Sequence, residues 1–294
     1  MFFLIACFTT EAEPPQNISI TENSSTEEES KPDITPVAKD SYPFLNTEEE
    51  IFRLEDKFPA PKGYQRVEVE TDSFGEWLRN MPVVERTDVR AYDGSIINAP
   101  AAAIIPIDVG RGDVQQCADS ILRLYSEYRW HRNTQETWAM HFTSGDISSW
   151  KDWASGKRFQ ISGSKVKQVQ KAKPDSSYEQ YKKWLHHTFL YAGTRSLHRD
   201  SAPVGIEQDI EPGDFFATAG SPGHAIIVLD VAKNSEGQAI ALLGQGFMPA
   251  QELHVLRNSA PQNMNWFLLP KNQEDALHNP SWSSIPRTNV YRFP

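Results

Sequence analysis

The chain has 294 residues, 39% hydrophobic and 11% aromatic, enough for one large domain or two small ones with a real core. Its formal charge of −10 is uneven: residues 11–50 hold eleven acidic side chains against Lys31 and Lys39, a net −9 that leaves −1 for the rest. A near-neutral body without a basic stripe excludes nucleic acid as a partner. The two cysteines, Cys7 and Cys117, exclude a disulfide scaffold and a zinc site made of thiolates alone.

The chain starts "MFFLIACFTTEAEPP", where the apolar run Phe2 to Ala6 is far too short to span a bilayer and lacks a leading Lys or Arg. Leu4-Ile5-Ala6-Cys7 nevertheless resembles the bacterial lipobox, in which cleavage precedes a cysteine that is then lipidated. The alternative is a chance cysteine behind a start codon placed too far downstream. Residues 8–41 are acidic and poor in apolar groups, so burial cannot offset their ordering entropy and a disordered tether is expected.

From residue 42 onward a single α+β domain is expected, with helices first and then a run of antiparallel strands. Thr47 with Glu50 three residues on forms a capping-box pattern for a short helix before Pro59. "YQRVEVE" reads as an edge-like strand, and "SFGEWLRNMPV" as a helix capped by Ser73 and stopped at Pro82. "AAAIIPIDV" is a strand placed at an edge or bulge by Pro106. Asp113 is the expected cap of the best helix, "VQQCADSILRLYSEYRWH", whose apolar residues form a helical stripe. Residues 138–170 carry three tryptophans among glycines and serines, which predicts loops and short strands; a helix over about 176–191 closes at Gly193. The second half brings the strands "DFFAT", "HAIIVLDVAK", "QAIALLGQGF" and "ELHVLRN", with "KNSEGQ" as the turn between the middle two.

Three residues carry the chemical candidates. His224 follows the turn Ser221-Pro222-Gly223 and opens a fully apolar strand, which is either core packing or a rigid mount that aims a general base into a cleft. Cys117 lies on the apolar stripe of its helix, as a small buried hydrophobe would; it also sits near the helix start, where backbone N–H groups lower a thiol's pKa. Gln245, flanked by Gly244 and Gly246 on the next strand, is placed to hold an imidazole in one tautomer. Asp230 is too far along the His224 strand to do so, about 20 Å at about 3.3 Å per residue.

This order of Cys117, Gly213-Asp214, Gly223-His224 and Gln245 resembles the papain-like amidases and peptidases of the NlpC/P60 and CHAP type. In those families the cysteine begins a helix packed on an antiparallel sheet, the histidine opens the next strand and a polar residue orients it. The resemblance implies a papain-like fold, a Cys117–His224–Gln245 site and hydrolysis of an amide, possibly in peptidoglycan. Two departures weigh against Cys117: Gln116 precedes it where those families have Asp or Asn, and residues 130–200 form a long Trp-rich insertion before the histidine. "FGEWLRNMPV", "DVQQCADSILRLYSEY", "HFTSG", "SPGHAIIVLDVA" and "MPAQELHVL" together resemble a family of bacterial lipoproteins known only as domain of unknown function 4846, over about residues 42–294. That resemblance implies one continuous domain in the cell envelope, anchored to the membrane by a lipid on Cys7, and no established activity.

The rival expectation is a non-catalytic envelope protein that binds a cell-wall peptide or glycan. In it Cys117 is core, and Trp138, Trp150 and Trp153 line a glycan groove rather than anchoring loops. His141 either lines the same cleft as the candidate site or sits in a loop, and the loop is the expectation. His186 and His187, about 100° apart on a helix, do not form a metal pair, no HExxH cluster occurs, and Gly110-Arg111-Gly112 is too short for a phosphate loop. No metal or other cofactor is therefore expected.

Overall fold

The strand His224–Asn234 is buried over nine of its eleven residues, because apolar side chains point from it to both faces. In a computed structural model, which describes residues 36, 38, 39, 42–163, 165–260 and 264–294, this strand is the centre of a nine-stranded antiparallel sheet. The order across the sheet is Ala202–Pro203, Val290–Arg292, Phe215–Thr218, His224–Asn234, Ala239–Gln245, His254–Leu256 and Ala101–Ile104. Tyr64–Arg66 pairs with the far end of the central strand, and Phe267–Leu268 with Ala239–Gln245. Cys7 and nearly all of segment 8–41 lie outside the described residues.

Two apolar layers cover the sheet. On one face Ala225, Ile227 and Leu229 pack with Ala118, Ile121, Leu122 and Tyr125 of the helix Cys117–His131. On the other face Ile226 and Val228 pack with Phe216, Leu243, Leu256 and Leu277, and Trp282 covers part of this layer. A bulge between Val228 and Asp230 shifts the alternation, so Val231 joins the second layer and Ala232 the first. At the bulge the fully buried Asp230 carboxylate accepts from Arg66 Nε at 2.6 Å and from Arg79 Nη2 at 2.8 Å. Two guanidinium partners make this carboxylate a structural tie between the amino-terminal segments and the sheet.

The strand over 101–104 lies at the sheet edge but ends at Ile104, before Pro106, rather than running through the proline to 109. Ser73 caps Phe74–Arg79 by accepting from Glu76 N. Other expectations are corrected. The Thr47–Glu50 pattern opens no helix there: Thr47 Oγ1 accepts from Glu49 N at 3.0 Å in a turn, and the first helix is Leu54–Lys57. Asp113 is not the cap of the long helix. Gln116 is, with its backbone N donating to Asp119 Oδ2 at 3.1 Å, so that Cys117 becomes the first helical residue. Gly193 closes no helix either; it precedes the helix Thr194–Arg199, while the one before it runs Tyr178–Phe189.

The segment between the long helix and the strands holds two hairpins, 139–149 and 157–170, and the helix Trp150–Ala154. Its tryptophans are core: Trp138, Trp150 and Trp153 are all buried, and Trp138 Nε1 donates to Ser126 Oγ of the long helix at 2.8 Å. A glycan platform on these three rings is thereby overturned, since none offers a face to solvent. The buried Arg123 pairs with Glu127 and Asp108, and Tyr178 donates to Glu127 at 2.8 Å, which fixes the helix Tyr178–Phe189 against the long helix.

Candidate functional site

The polar residues of interest gather at one end of the central strand, but on two sides of it. His224 and Gln245 do meet. The ring stands 2.9 Å from the amide, Nε2 to Oε1, on the face that carries Ile226 and Val228. Phe247 and Trp282 pack on the imidazole at 4.9 and 5.1 Å between ring centres. Cross-strand pairing then brings in a residue with no role in the sequence reading, His254, directly opposite Gln245.

The donors and acceptors of this cluster have one consistent assignment. His254 Nδ1 lies 3.0 Å from the Glu252 carbonyl, which only accepts, so Nδ1 carries the proton and Nε2 accepts. Gln245 Nε2 is then free to donate to His254 Nε2 at 3.4 Å and to Ser281 Oγ at 2.8 Å. Its Oε1 accepts from His224 Nε2–H. Both imidazoles stay neutral: burial pulls His224 down to about 4, against a smaller upward effect of Gln245, and burial also lowers His254. Gln245 holds the tautomer of His224, but inside a closed chain of hydrogen bonds that is 1% exposed or less at His224, Gln245 and His254.

Cys117 is not part of this cluster. It sits on the helix side of the sheet, where the backbone N–H of Ala225, rather than the ring of His224, approaches its sulfur. Successive strand side chains point to opposite faces, so Ala225 faces the helix while His224 turns away toward Gln245 and Trp282. Among the described residues no hydrogen bond joins the thiol to the imidazole. Burial first, and the Asp119 charge second, push the thiol up to about 11, so it is protonated at neutral pH and the helix-start effect is outweighed. The expected Cys117–His224–Gln245 site is thus realised only as the His224–Gln245 pair, because the sheet stands between that pair and the sulfur.

The thiol instead borders a cleft of about 340 Å³ at the start of the long helix. The lead-in and first turn of the helix, within 113–119, form one wall, residues from 189–194 the second and the turn 220–223 the third, with Met248 at the rim. The helix can approach the sheet here because Gly246 has no side chain: a Cβ on it would lie 2.2 Å from Ser120 Oγ. Gly223 likewise meets Thr194 Oγ1 and the Gly220 carbonyl, a close approach that positions the turn. Asp119 lines the cleft at 5% exposure; its Oδ2 is held by Gln116 N, while the buried Oδ1 has no hydrogen-bond partner. Burial pushes this carboxyl up to about 7. Leu190 and Met248 leave 51% and 44% of their surface exposed at the rim.

His141 lies at the end of a strand, Ala139–His141, rather than in a loop. Its ring Nδ1 bonds to Asp200, and its backbone N donates to the same carboxylate at 2.9 Å. It does not line the cleft. His187 is enclosed by Trp153, Phe159 and Tyr191, away from His186, which lies beside Gly110. Among the described residues no group of three His, Cys, Asp or Glu side chains is arranged to hold a metal ion.

Fold and site together define an α+β domain whose sheet separates a closed imidazole–amide network from an open acidic cleft. The chain belongs to the family described as domain of unknown function (4846), whose model matches residues 54–292. No curated protein and no solved structure matches it.

Proposed function

We propose that this is a non-catalytic ligand-binding domain of the bacterial cell envelope, tethered through a lipid on Cys7, which takes up a peptide or glycan fragment in the cleft beside Asp119. One observation carries the reading: the thiol that an amidase would use and the imidazole that would activate it face opposite sides of the sheet. A neutral thiol pushed up to about 11 and an imidazole pulled down to about 4 are both poorly suited to nucleophilic catalysis at neutral pH. The cleft, by contrast, is an open concavity of about 340 Å³ with Asp119 in its lining and Leu190 and Met248 exposed at its rim, within the size range of small-ligand sites. In this reading the layout is a papain-like one, helix start against antiparallel sheet, without the catalytic pairing. The envelope setting rests on the lipobox-like Leu4-Ile5-Ala6-Cys7 and the acidic segment behind it.

Incubation with peptidoglycan stem-peptide fragments, followed by mass spectrometry and calorimetry, tests the reading. Saturable binding without cleavage is expected, weakened at least tenfold by the pair Leu190→Asp and Met248→Asp. Cleavage that disappears in Cys117→Ser contradicts it. The tether is tested by labelling with an alkyne fatty acid in a bacterial host, where incorporation lost in Cys7→Ser is expected and incorporation unaffected by that change contradicts it.

A further inference from the structure

We propose that the cleft takes a ligand bearing a primary ammonium group, which Asp119 receives on its free carboxylate oxygen while an aliphatic stem lies along Leu190 and Met248. This deepens the binding reading above and rests on it. Four observations converge. Asp119 is 95% buried, and one of its oxygens is occupied by Gln116 N while the other has no donor. Most buried polar atoms are paired; nine other buried side-chain atoms among the described residues also lack a partner, but of these residues Asp119 is the one that lines the cleft.

The titratable groups lining the cleft are Asp113, Cys117 and Asp119, and among the lining residues there is no Lys, Arg or His. Asp113 accepts from Ala250 N at 2.6 Å and from Gln116 Nε2 at 2.9 Å, both on Oδ1, and the residue is exposed, so Asp119 is the buried acid of the cleft. Segments 189–194 and 220–223 and Met248 bring no ionisable side chain to the cleft. Two acids without a lining base repel a carboxylate or phosphate ligand. A hydroxyl or amide would fill the hydrogen bond and leave the charge uncompensated. An ammonium group supplies both, as three donors carrying one positive charge. The rim, with Leu190 and Met248 each about half exposed, suits the methylene stem of such an amine.

Burial holds the empty carboxyl at about 7, so at pH 6 most empty clefts hold a neutral acid. An ammonium ligand favours the carboxylate and expels that proton, so its apparent affinity rises with pH through 7 and levels off above. The probe is n-hexylamine, with 1-hexanol as its uncharged counterpart, titrated calorimetrically into the full chain. Hexylamine is expected to bind at pH 8 about tenfold more tightly than hexanol and to lose about tenfold at pH 6. Asp119→Asn, which keeps an acceptor for Gln116 N, is expected to abolish that preference while hexanol binding is retained. A carbon-13 titration of the Asp119 carboxyl in the unmutated protein gives a second measurement: added hexylamine is expected to lower its midpoint. Equal binding of amine and alcohol, or an Asp119 midpoint unmoved by saturating amine, overturns the ammonium proposal and leaves the cleft as a binding site. If neither probe nor any stem-peptide fragment binds, the binding reading falls as well.

Discussion

The two sides of the central strand invite comparison, because each places polar groups at the same end of the sheet and they are satisfied to different degrees. On the far side His224, Gln245, His254 and the Glu252 carbonyl satisfy one another in a chain with a single direction. On the helix side Asp119 keeps a buried oxygen with no donor, beside a cleft with an exposed apolar rim. A closed network rigidifies a fold; an open one leaves a valence for something from outside. Two residues of the catalytic pattern, His224 and Gln245, lie on the closed side and the third, Cys117, on the open side, where the residue that stands out, Asp119, matches no motif.

The largest effect expected from breaking a closed group is at Asp230. Its replacement by Ala strands Arg66 and Arg79 and should cost about 3–5 kcal/mol in urea unfolding. Asp119 should behave in the opposite way. Its folded pKa of about 7 lies above the unfolded value of about 3.9, so its contribution is fully present below pH 4 and is lost as pH rises through 7. Asp119→Asn should therefore be more stable than the unmutated chain by roughly 4 kcal/mol at pH 8, with the gain vanishing near pH 4. Equal stability of the two at pH 8 would remove Asp119 from the open side of the comparison.

Gln245→Leu tests the closed side, since it leaves the His224 Nε2–H and the His254 Nε2 unpaired in the interior. A loss of about 2–3 kcal/mol at pH 7 is expected from stability curves. His224 adds a pH signature of the reverse sign to that of Asp119: with a folded pKa of about 4, its contribution is present above pH 6.5 and fades as pH falls toward 4. The smallest effect belongs to Cys117→Ala. Removing one buried sulfur should cost about 1 kcal/mol in urea unfolding.

Much of the frame is legible in the sequence, and the reason the site is not lies in the same residues. The helix over 117–131 follows from its apolar stripe, and the strands over 224–234 and 239–245 from their apolar runs and the turn at 234–238. Yet "AIIVL" is apolar at every position, because both faces of its sheet are covered. The property that marks a central strand erases the alternation that would say which way His224 points. The bulge at Val228–Asp230 shifts the alternation again further along. Asp113 looks like the helix cap because its type is right, but its side chain goes to Ala250, a contact 137 residues away that no local pattern encodes. The polar pair Gln245 and His254 needed only the register of two neighbouring strands. Asp119 carried one signal of its own, an acid next to the apolar stripe of the long helix, three residues after Gln116.

The titration of the Cys117 thiol tests the central claim most directly. In a Cys7→Ser background, thiolate absorbance followed from pH 5 to 11 should show Cys117 protonated through neutrality, with the same curve after His224→Ala and iodoacetamide labelling only on unfolding. A thiolate present at pH 7 that disappears in His224→Ala would mean that the two residues meet, and that the sheet does not separate them.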